Sequence, residues 1–474
     1  MASRSGASSI NSLAYPRLLV VTASTFNLYT GTGISLTNLF KGWPKDKVAN
    51  LHREYCVPDT TVCEAFYYLS EREMSWRFPI SEIAGAIRRI SGPFRKTDMT
   101  ALRPASPGRA RTATDEVEAF ERPLSRLLPQ RVVELLVAGG LDDWRTEANL
   151  THEVQAWIGG FKPQLIYSNL GDLGFLKLVR LIAERYQIPA VIQMSDDWPE
   201  GRYRSVLSRW IRREVETELQ MAFARARLRF GICDAMCRAY EERYRVPFLP
   251  CISPVETEQW LKCAKNDWSY SGSFRVVYMG TVHPLAQLHG LGEVACTISE
   301  MHRAGTDVRF EVYTSERFVG ELRRKFHGLS GVQVNNSPVS SEAPSVLSSA
   351  DLLVVPVNFD RASFRYVKYS LPAKSIAYMI CSCPVLLYGP PNVPPVEYAQ
   401  KEGWGFVVSI HNRSELKRAI ATLMGDEALR RTLGLRGREV AVRNHDGTRL
   451  RVWFHDLLCR AAAGDVHLGQ ASGV

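Results

Sequence analysis

The sequence predicts an α/β protein made of two Rossmann-like domains, each a doubly wound parallel sheet, that face each other across a cleft. Three observations lead to this prediction. The chain has 474 residues, which is too long for a single hydrophobic core. Short buried strands alternate with amphipathic helices, as in parallel sheets that are covered by helices on both faces. The alternation stops in a polar stretch at 256–272 and starts again with FRVVYMG at 274–280.

The first cycle of strands and helices spans 17–255 and follows a flexible tail at 1–16. It contains an insertion at 80–160, with helical patterns and a loop at 91–114 that is rich in Pro, Gly, Ser and Arg. The β-branched runs predict strands, and the 3.6-residue spacing of apolar side chains predicts helices. In chain order these elements are strands at 17–24, 163–169, 188–194 and 228–234, with helices at 173–187 and 205–226.

The second cycle spans 273–445, after the linker at 256–272. Its predicted strands are 274–280, 308–314, 332–336, 351–358, 384–389 and 405–408. Its predicted helices are 285–304, 316–327, 373–381, 413–424 and 427–443. The last part of the chain, 446–474, is predicted to hold one more helix at 446–463, followed by a tail.

The composition limits the class of partner and the compartment. A net charge of +10 and a pI near 9.1 favour phosphorylated small molecules, an anionic membrane surface or nucleic acid. Nucleic acid is the weakest of these, because the chain has no zinc-finger spacing, no RNP-like motif and no continuous basic helix. Ten scattered cysteines without a CxxC pair indicate buried thiols in a reducing compartment. No apolar run could span a bilayer, so we expect a cytoplasmic protein with peripheral membrane contact at most.

Ligands of open parallel sheets bind beyond the carboxyl ends of the strands, so the loops there hold the candidate site residues. In FNLYTGTG, Gly31 and Gly33 flank Thr32 at the start of a helix, whose free amides suit a phosphate. The motif does not match GxGxxG or the P-loop, and a flexible strand-to-helix turn is the alternative. After another strand, Asp196 and Asp197 could orient an acceptor hydroxyl, or they could be a capping or solvated pair.

Two further loops carry candidates in the second cycle. In YMGTVHPLAQLHG, the amides of Gly280 and Thr281 could face a diphosphate, and two histidines, His283 and His289, are possible donors or ordinary packed residues. In NFDRASFRYVKYSLPAKS, three cations precede or begin a helix and predict an anion site; they are Arg365, Lys368 and Lys374. A solvated basic loop is the alternative. No Asp-x-Asp motif occurs, so we expect no metal and no cofactor beyond the substrate.

The segment around Lys374 resembles the donor-site signature of retaining glycosyltransferases of the GT-B fold, family 4. The agreement extends to the glycine loop after the first strand, to FGICDAMCRAYEERYRVP, and to the YMGT turn. It covers roughly 17–455 apart from the insertion. The residues that match the signature are Pro372, Lys374, Tyr378, Met379, Pro384, Val385, Tyr388 and Gly389.

This resemblance implies a GT-B-like pair of domains, with a nucleotide sugar on the second and a glycan or lipid-linked acceptor on the first. It implies metal-independent transfer with retention, in which Lys374 stabilises the departing nucleoside diphosphate. Asp197 would act on the acceptor, and the last helix would cross back to the first domain. The other residues expected at the donor are Gly31, Thr32, Gly33, Gly280, Thr281, Arg365, Lys368, Ser370 and Tyr378. Such enzymes often build polysaccharides at membranes, and the Arg-rich loop at 91–114 would suit an anionic membrane face.

The chain also departs from the family pattern. Ala377 stands where the family has a glutamate that binds the ribose, and Ser382 and Cys233 replace a glycine and a serine. The other acid of the family's paired-glutamate motif has no counterpart at Lys368 or Tyr369. Lost ribose hydrogen bonds would weaken donor binding by roughly 1–3 kcal/mol. Two hypotheses therefore remain: an enzyme with a reorganised donor pocket, or a catalytically lapsed homologue that acts as a partner or scaffold subunit.

Overall fold

The computed structural model describes residues 15–82 and 144–465 of the chain, with gaps at 29, 55, 79, 80, 204, 205, 253 and 340. Most of the tail at 1–16, most of the insertion at 80–160 and the loop at 91–114 therefore lie outside the described residues. The same holds for the end of the chain from residue 466 onwards.

The first half of the chain forms a seven-stranded parallel sheet in the order β3-β2-β1-β6-β7-β8-β9. A separate two-stranded antiparallel ribbon, β4 with β5, lies beside it. The strands are β1 Leu18–Val21, β2 Val48–His52, β3 Ala65–Tyr68, β4 Met74–Ser75, β5 Glu147–Ala148, β6 Leu165–Leu170, β7 Ala190–Met194, β8 Leu228–Gly231 and β9 Leu249–Pro250.

The second half forms a six-stranded sheet that is also fully parallel, in the order β12-β11-β10-β13-β14-β15. Its strands are β10 Phe274–Met279, β11 Val308–Thr314, β12 Val332–Asn336, β13 Leu352–Pro356, β14 Val385–Tyr388 and β15 Phe406–Val408.

Helices connect these strands and cover the sheets. In the first half they are Gly31–Phe40, His152–Phe161, Leu173–Tyr186, Trp198–Gly201, Arg209–Arg225 and Asp234–Tyr244, with 3-10 turns at Lys45–Lys47 and Val206–Ser208. In the second half they are Thr257–Leu261, Leu288–Arg303, Glu316–Lys325, Ala343–Ser348, Arg361–Val367, Ala373–Ile380, Pro394–Glu402, Arg413–Gly425, Glu427–His445 and Gly447–Ala463.

The central strands are apolar along their whole length because helices cover both faces of each sheet. Every residue of LLVV in β1 and of LLVVP in β13 is buried, and the same is true of β7 and β14. Polar side chains that alternate with apolar ones would have exposed one face, as in an antiparallel sheet. The carboxyl ends of the parallel strands lie along one edge of each sheet, and the loops that hold the candidate site residues begin there.

Two segments of chain cross between the halves and pair with each other. The amide of Gly447 donates to the carbonyl of Val255 at 2.9 Å, and the amide of Val255 donates to the carbonyl of His445 at 3.4 Å. The helix Gly447–Ala463 then packs against Gly31–Phe40 of the first half. The isolated parallel bridge between Val255 and Asp446 is called the crossing below.

The predicted fold class is confirmed: two parallel α/β sheets, each with helices on its faces, form a two-lobed molecule. All ten cysteines are free thiols, six of them buried and four partly buried. Among the described helices, none combines the length and the apolar character that crossing a bilayer requires. The domain bounds given above stay a prediction.

Candidate anion site at the sheet edge

Lys374 lies at the start of the helix Ala373–Ile380, which follows Pro372 at the N-cap. Its ammonium donates to the Tyr278 hydroxyl at 2.5 Å and to the carbonyl oxygen of Thr281 at 3.4 Å. The same nitrogen lies 4.4 Å from the centre of the Tyr278 ring. The side chain therefore crosses from the helix to the end of β10, where the loop of the sequence YMGT begins.

Gly280 makes this approach possible. Its φ of +147° is one that L side chains rarely adopt, and a Cβ there would lie 3.0 Å from the Lys374 ammonium nitrogen. Any larger residue at 280 would displace the lysine. The structure thus brings the predicted pair Gly280 and Thr281 together with Lys374: the lysine side chain packs against Gly280 and donates to the backbone carbonyl of Thr281.

Tyr378 fixes the same helix to the same strand. Its hydroxyl accepts from the Met279 amide at 2.7 Å and donates to the Met279 carbonyl at 2.9 Å. Tyr378 is buried, so these two bonds use its hydroxyl inside the protein. The sequence predicts Tyr378 as a donor contact, and the structure places it behind the site, where it holds the helix that carries Lys374.

The cation of Lys374 has neutral partners. Tyr278 is fully buried, and its hydroxyl donates to the Thr281 carbonyl at 2.7 Å, which leaves its oxygen to accept from Lys374. Burial lowers the pKa of Lys374 to about 7, and among the described residues no carboxylate offsets this loss of solvation. An ammonium that is partly desolvated and unneutralised is stabilised by an incoming anion, because the anion replaces the missing counter-charge.

Arg365, Lys368 and Ser370 lie on a neighbouring segment that faces the first half of the molecule. The helix Arg361–Val367 packs against Trp198–Gly201, and Arg365 and Lys368 are exposed. A hydrogen bond to Tyr369 raises the pKa of Lys368, and the carboxylates of Asp197 and Glu200 add to this effect. Ser370 is partly buried, and its amide closes a turn onto Val367 at 2.9 Å.

The two aspartates after β7 have different surroundings. Asp197 is buried and accepts from the Tyr240 hydroxyl at 2.8 Å. Its burial raises its pKa, and that hydrogen bond opposes the rise. Asp196 has an exposed side chain, but the surrounding groups still desolvate its carboxylate and raise its pKa. Burial also raises the pKa of Tyr366, and the charge of Asp196 adds to that rise. Of the pair, Asp196 is the carboxylate with a solvent-accessible side chain, and Asp197 is held inside the first half.

The glycine loop of the first half is shaped by internal packing. Thr30 caps the helix Gly31–Phe40, and its hydroxyl accepts from the Gly33 amide at 3.2 Å. A Cβ at Gly33 would lie 2.2 Å from the Asn27 side chain, whereas a Cβ at Gly31 would meet nothing within 4 Å. Gly33 is therefore required by its neighbour Asn27. The amides of Gly31 and Thr32 have no acceptor inside their helix, which leaves them available for a ligand.

The departures from the family pattern have visible consequences. Ala377 is partly buried on the helix that carries Lys374 and offers no hydrogen-bonding atom from its side chain. Ser382 has a φ of +62°, a conformation that favours the glycine of the family pattern. Cys233 contacts the segment before Lys374, because its thiol donates to the Tyr369 carbonyl at 3.4 Å. This contact joins the two halves.

Sequence reasoning missed two residues that shape the site. Tyr278 supports Lys374 but reads as an ordinary buried strand residue, since alternation along β10 places it in the core. Asn358 is fully buried just after β13; its amide donates to the Pro284 carbonyl at 2.7 Å, and its oxygen accepts from the His289 and Gly290 amides. Its position as a polar residue directly after an apolar strand is a signal that could have identified it.

The two histidines of the YMGT loop are partly accounted for by packing. The His283 ring stacks on Tyr366 with centroids 4.5 Å apart and ring planes at 3°. Its Nδ1 accepts from the Leu285 amide at 3.2 Å. His289 is exposed, and its Nδ1 lies 3.8 Å from an Asp360 oxygen. His283 therefore stacks on the helix Arg361–Val367, next to the half that contains Asp196.

No protein-family model matches this chain, and no curated protein matches it. Solved structures share its fold over nearly its whole length. Sucrose-phosphate synthase from Thermosynechococcus elongatus aligns with a TM-score of 0.60 at 13% identity, over 94% of this chain and 100% of that one. Trehalose-6-phosphate synthase OtsA aligns with a TM-score of 0.57 at 11% identity, over 93% and 98%.

A third solved structure, Anabaena HepE in complex with UDP and glucose, aligns with a TM-score of 0.54 at 12% identity, over 94% of this chain and 99% of that one. These three likenesses at 11–13% identity establish the shared two-domain fold. The chain therefore has the architecture of GT-B glycosyltransferases.

Proposed function

We propose that this protein is a glycosyltransferase that moves a sugar from a nucleotide sugar to a glycan or lipid-linked acceptor. The single observation that carries the proposal is Lys374, a partly desolvated cation with neutral partners at the carboxyl edge of the second sheet. The fold supports it, since HepE, which shares the architecture, forms a complex with UDP and glucose. Sugar transfer from such a donor releases a nucleoside diphosphate, whose charge Lys374 would stabilise as it develops.

In the proposed mechanism the donor diphosphate lies beside the Lys374 ammonium, on the side away from its contacts with Gly280 and Thr281. The start of the helix Ala373–Ile380 adds partial positive charge there. The acceptor lies against the first half, where the exposed Asp196 is better placed than the buried Asp197 to orient a hydroxyl. We further propose retention of the anomeric configuration without a metal, which rests on the resemblance and on the missing Asp-x-Asp motif.

Donor binding is expected to depend on pH through Lys374. Because the pKa in the free protein is about 7, the lysine is charged below pH 7 and increasingly neutral above it. A diphosphate prefers the charged form and raises that pKa when bound, so UDP affinity falls as pH rises above 7. The slope approaches a tenfold loss per pH unit until the pKa of the bound state is reached.

The test is calorimetric titration with UDP, GDP and dTDP, followed by transfer assays with their sugars. Lys374→Met should lower nucleotide affinity at least tenfold, because it removes a charge-assisted contact. Lys374→Arg should keep binding and abolish the decline above pH 7, since arginine stays charged. The matched control Lys417→Met changes an exposed lysine on another helix and should bind normally. Absence of binding and of transfer with all three nucleotides would contradict the proposal.

A second candidate is a catalytically lapsed homologue that serves as a partner or scaffold subunit. Ala377 favours it, since alanine cannot accept hydrogen bonds from a ribose. The same experiment separates the two functions. Nucleotide binding without any transfer supports the lapsed homologue, whereas transfer that Lys374→Met abolishes supports the enzyme.

A further inference from the structure

A cavity of about 410 Å³ lies between the two halves of the molecule, beside the crossing. One wall is the start of the helix Asp234–Tyr244, and the opposite wall is the helix Pro394–Glu402. Its remaining lining includes Ile252 and His445, which lie next to the crossing, and Trp453 of the last helix. The volume is that of a small-ligand site, and such sites occur preferentially between domains.

Each of the two helical walls presents an acid and a base one turn apart. Asp234 and Arg238 lie on the first wall, and Glu397 and Lys401 on the second. All four residues are exposed, and within the part of the chain that the structure describes none of them forms an ion pair. A ligand between the walls therefore meets one carboxylate and one cation of this set on each side, while a further acid of the second wall, Glu402, is ion-paired with Arg443.

The lining between these walls is mainly apolar and includes a small group of uncharged polar side chains. The Tyr398 hydroxyl oxygen accepts from the Asn444 amide at 3.0 Å and lies 2.8 Å from Nε2 of His445. His445 is 6% exposed, and burial lowers its pKa to about 4, so its ring is neutral at physiological pH. Its Nδ1 has no hydrogen-bond partner among the described residues. Trp453 adds an aromatic side chain to the same lining.

We propose that this cavity binds a saccharide unit. A sugar hydroxyl can both donate and accept hydrogen bonds. Neighbouring hydroxyls of a sugar can therefore donate to the carboxylate and accept from the cation on either wall. A simple anion or cation would meet a like charge on both sides, and an apolar compound would desolvate four charges without replacing their hydrogen bonds. The aromatic side chains of Tyr398 and Trp453 suit the apolar face of a sugar ring.

The proposed saccharide site is separate from Lys374 but adjoins the segment that leads to it. Cys233 and Leu371 both line the cavity, and the Cys233 thiol donates to the Tyr369 carbonyl at 3.4 Å. A bound sugar would therefore sit against the contact that joins the halves, next to the helix of Lys374. The sugar could be part of the acceptor of the proposed transfer reaction, or a free saccharide that acts as an effector.

The test is ligand-observed NMR and calorimetric titration of the full chain with neutral monosaccharides and disaccharides. A double variant, Arg238→Ala with Glu397→Gln, should weaken saccharide binding about tenfold or more, because it removes one charged partner from each wall. The matched control is Lys262→Ala with Glu258→Gln, an exposed acid and base one turn apart on the helix of the linker. This control should bind the sugar as the wild type does.

UDP titration of the wild type and of the same double variant keeps the two proposals distinguishable. If the wild type does not bind UDP, the transferase proposal is contradicted, whereas the saccharide site is still tested by the sugar titrations. A sugar that is consumed in a transfer assay identifies the acceptor, and one that changes the rate without being consumed identifies an effector. Glycine betaine and inorganic phosphate are included as a zwitterion and an anion. Binding of either one without any saccharide, or no saccharide binding at tens of millimolar, would overturn the proposal.

Discussion

At the residue scale, the decisive feature is a cation whose hydrogen-bond partners, within the described part of the chain, are all neutral. Lys374 is supported by a tyrosine hydroxyl and a backbone carbonyl, and Gly280 leaves it room. A carboxylate in place of Tyr278 would have stabilised the ammonium but removed its net charge. The arrangement therefore sacrifices some stability of the charged lysine and keeps its affinity for anions.

Tyr278→Phe should change how Lys374 titrates while leaving the ring in place. The ammonium loses its nearer hydrogen-bond acceptor and keeps the Thr281 carbonyl and the aromatic face, so its pKa should fall below about 7. UDP affinity at pH 7.5 should fall roughly tenfold. The pH at which UDP affinity begins to decline should also move downward, which calorimetry over pH 6.5–8.5 would measure.

The control for Tyr278→Phe is Tyr378→Phe. Among the described residues, the Tyr378 hydroxyl forms hydrogen bonds only with the backbone of Met279. This variant should lose stability and some UDP affinity without moving the pH at which affinity declines. If both variants give the wild-type pH profile, Tyr278 has no part in setting the charge of Lys374.

Ser382, which stands where the family pattern has a glycine, is a strained residue. Its φ of +62° disfavours any side chain, and its buried hydroxyl has no hydrogen-bond partner among the described residues. Its carbonyl accepts from the Trp268 indole at 2.9 Å, which ties the linker to this turn. The turn between the Lys374 helix and β14 is therefore held in place by tertiary contacts despite its local conformation.

Ser382→Gly should stabilise the protein by about 1 kcal/mol, because glycine adopts positive φ without strain and carries no buried hydroxyl. Urea unfolding of the two proteins would measure the difference. Ser375→Gly is the matched control, since Ser375 also has a buried, unpartnered hydroxyl but lies in a helix. Glycine there should destabilise by up to about 1 kcal/mol. A destabilised Ser382→Gly variant would show that the turn is unstrained.

At the element scale, the sequence predicts the parallel sheets well and their connections less well. VQVNN forms the predicted strand Val332–Asn336, and the predicted helix at 413–424 is observed as Arg413–Gly425. These elements carry strong periodicity, because one face or the whole strand is buried. The helices Arg361–Val367 and Pro394–Glu402 were not predicted, since both are short and the second begins with two prolines.

The site was predictable only where it is local in sequence. Lys374 and Gly280 come from motifs next to strand ends, and the structure brings them into contact. Tyr278 could not be identified, because a buried tyrosine in a strand has the same sequence pattern whether or not its hydroxyl reaches a ligand site. The cavity beside the crossing was also beyond prediction, as its two charged walls are more than 150 residues apart.

The last helix is the element that closes the first half. Phe454 is fully buried and lies 5.4 Å from the Phe40 ring, 5.7 Å from that of Tyr167 and 5.5 Å from that of Phe230. His455 lies 3.0 Å from the Leu39 carbonyl oxygen. The helix Gly447–Ala463 thus completes a core that the first half cannot form from its own residues.

Phe454→Ala should destabilise the first half by about 3–5 kcal/mol, because it leaves a cavity among three aromatic rings. Thermal unfolding followed by tryptophan fluorescence would measure the loss. Val452→Ala changes a residue of the same helix that is 51% exposed and should unfold close to the wild type. Equal stability of the two variants would mean that the last helix is dispensable for that core.

At the scale of the whole molecule, the crossing couples three regions. Val255 pairs with the chain at His445 and Gly447, while Glu256 accepts from Lys41 at 2.8 Å and forms an ion pair with Arg451. The linker, the first helix and the last helix therefore meet at one place. The cavity proposed for a saccharide adjoins this place, so a ligand there would bear on the relative position of both halves.

The stability of the whole molecule should depend on pH through three buried histidines, His52, His445 and His455. Burial lowers the pKa of each to about 4, whereas the unfolded chain protonates its histidines near 6.5. Stability is thus fully present above pH 6.5 and is lost as pH falls towards 4, because the unfolded state binds the extra protons. Each histidine contributes up to about 1.4 kcal/mol per pH unit inside this window.

Urea unfolding at intervals from pH 7.5 to 4.5 measures that loss, and carboxylates with lowered pKa values, such as Glu214 and Glu256, add to it only towards the acid end. His455→Gln can still donate to the Leu39 carbonyl but cannot be protonated, so it should reduce the slope by about one proton. Val452→Ala changes an exposed residue of the same helix without removing a titratable group and should leave the slope unchanged. Stability that stays constant from pH 7 to 5 would mean that these rings become protonated without unfolding, and that the packing around the crossing is looser than their burial indicates.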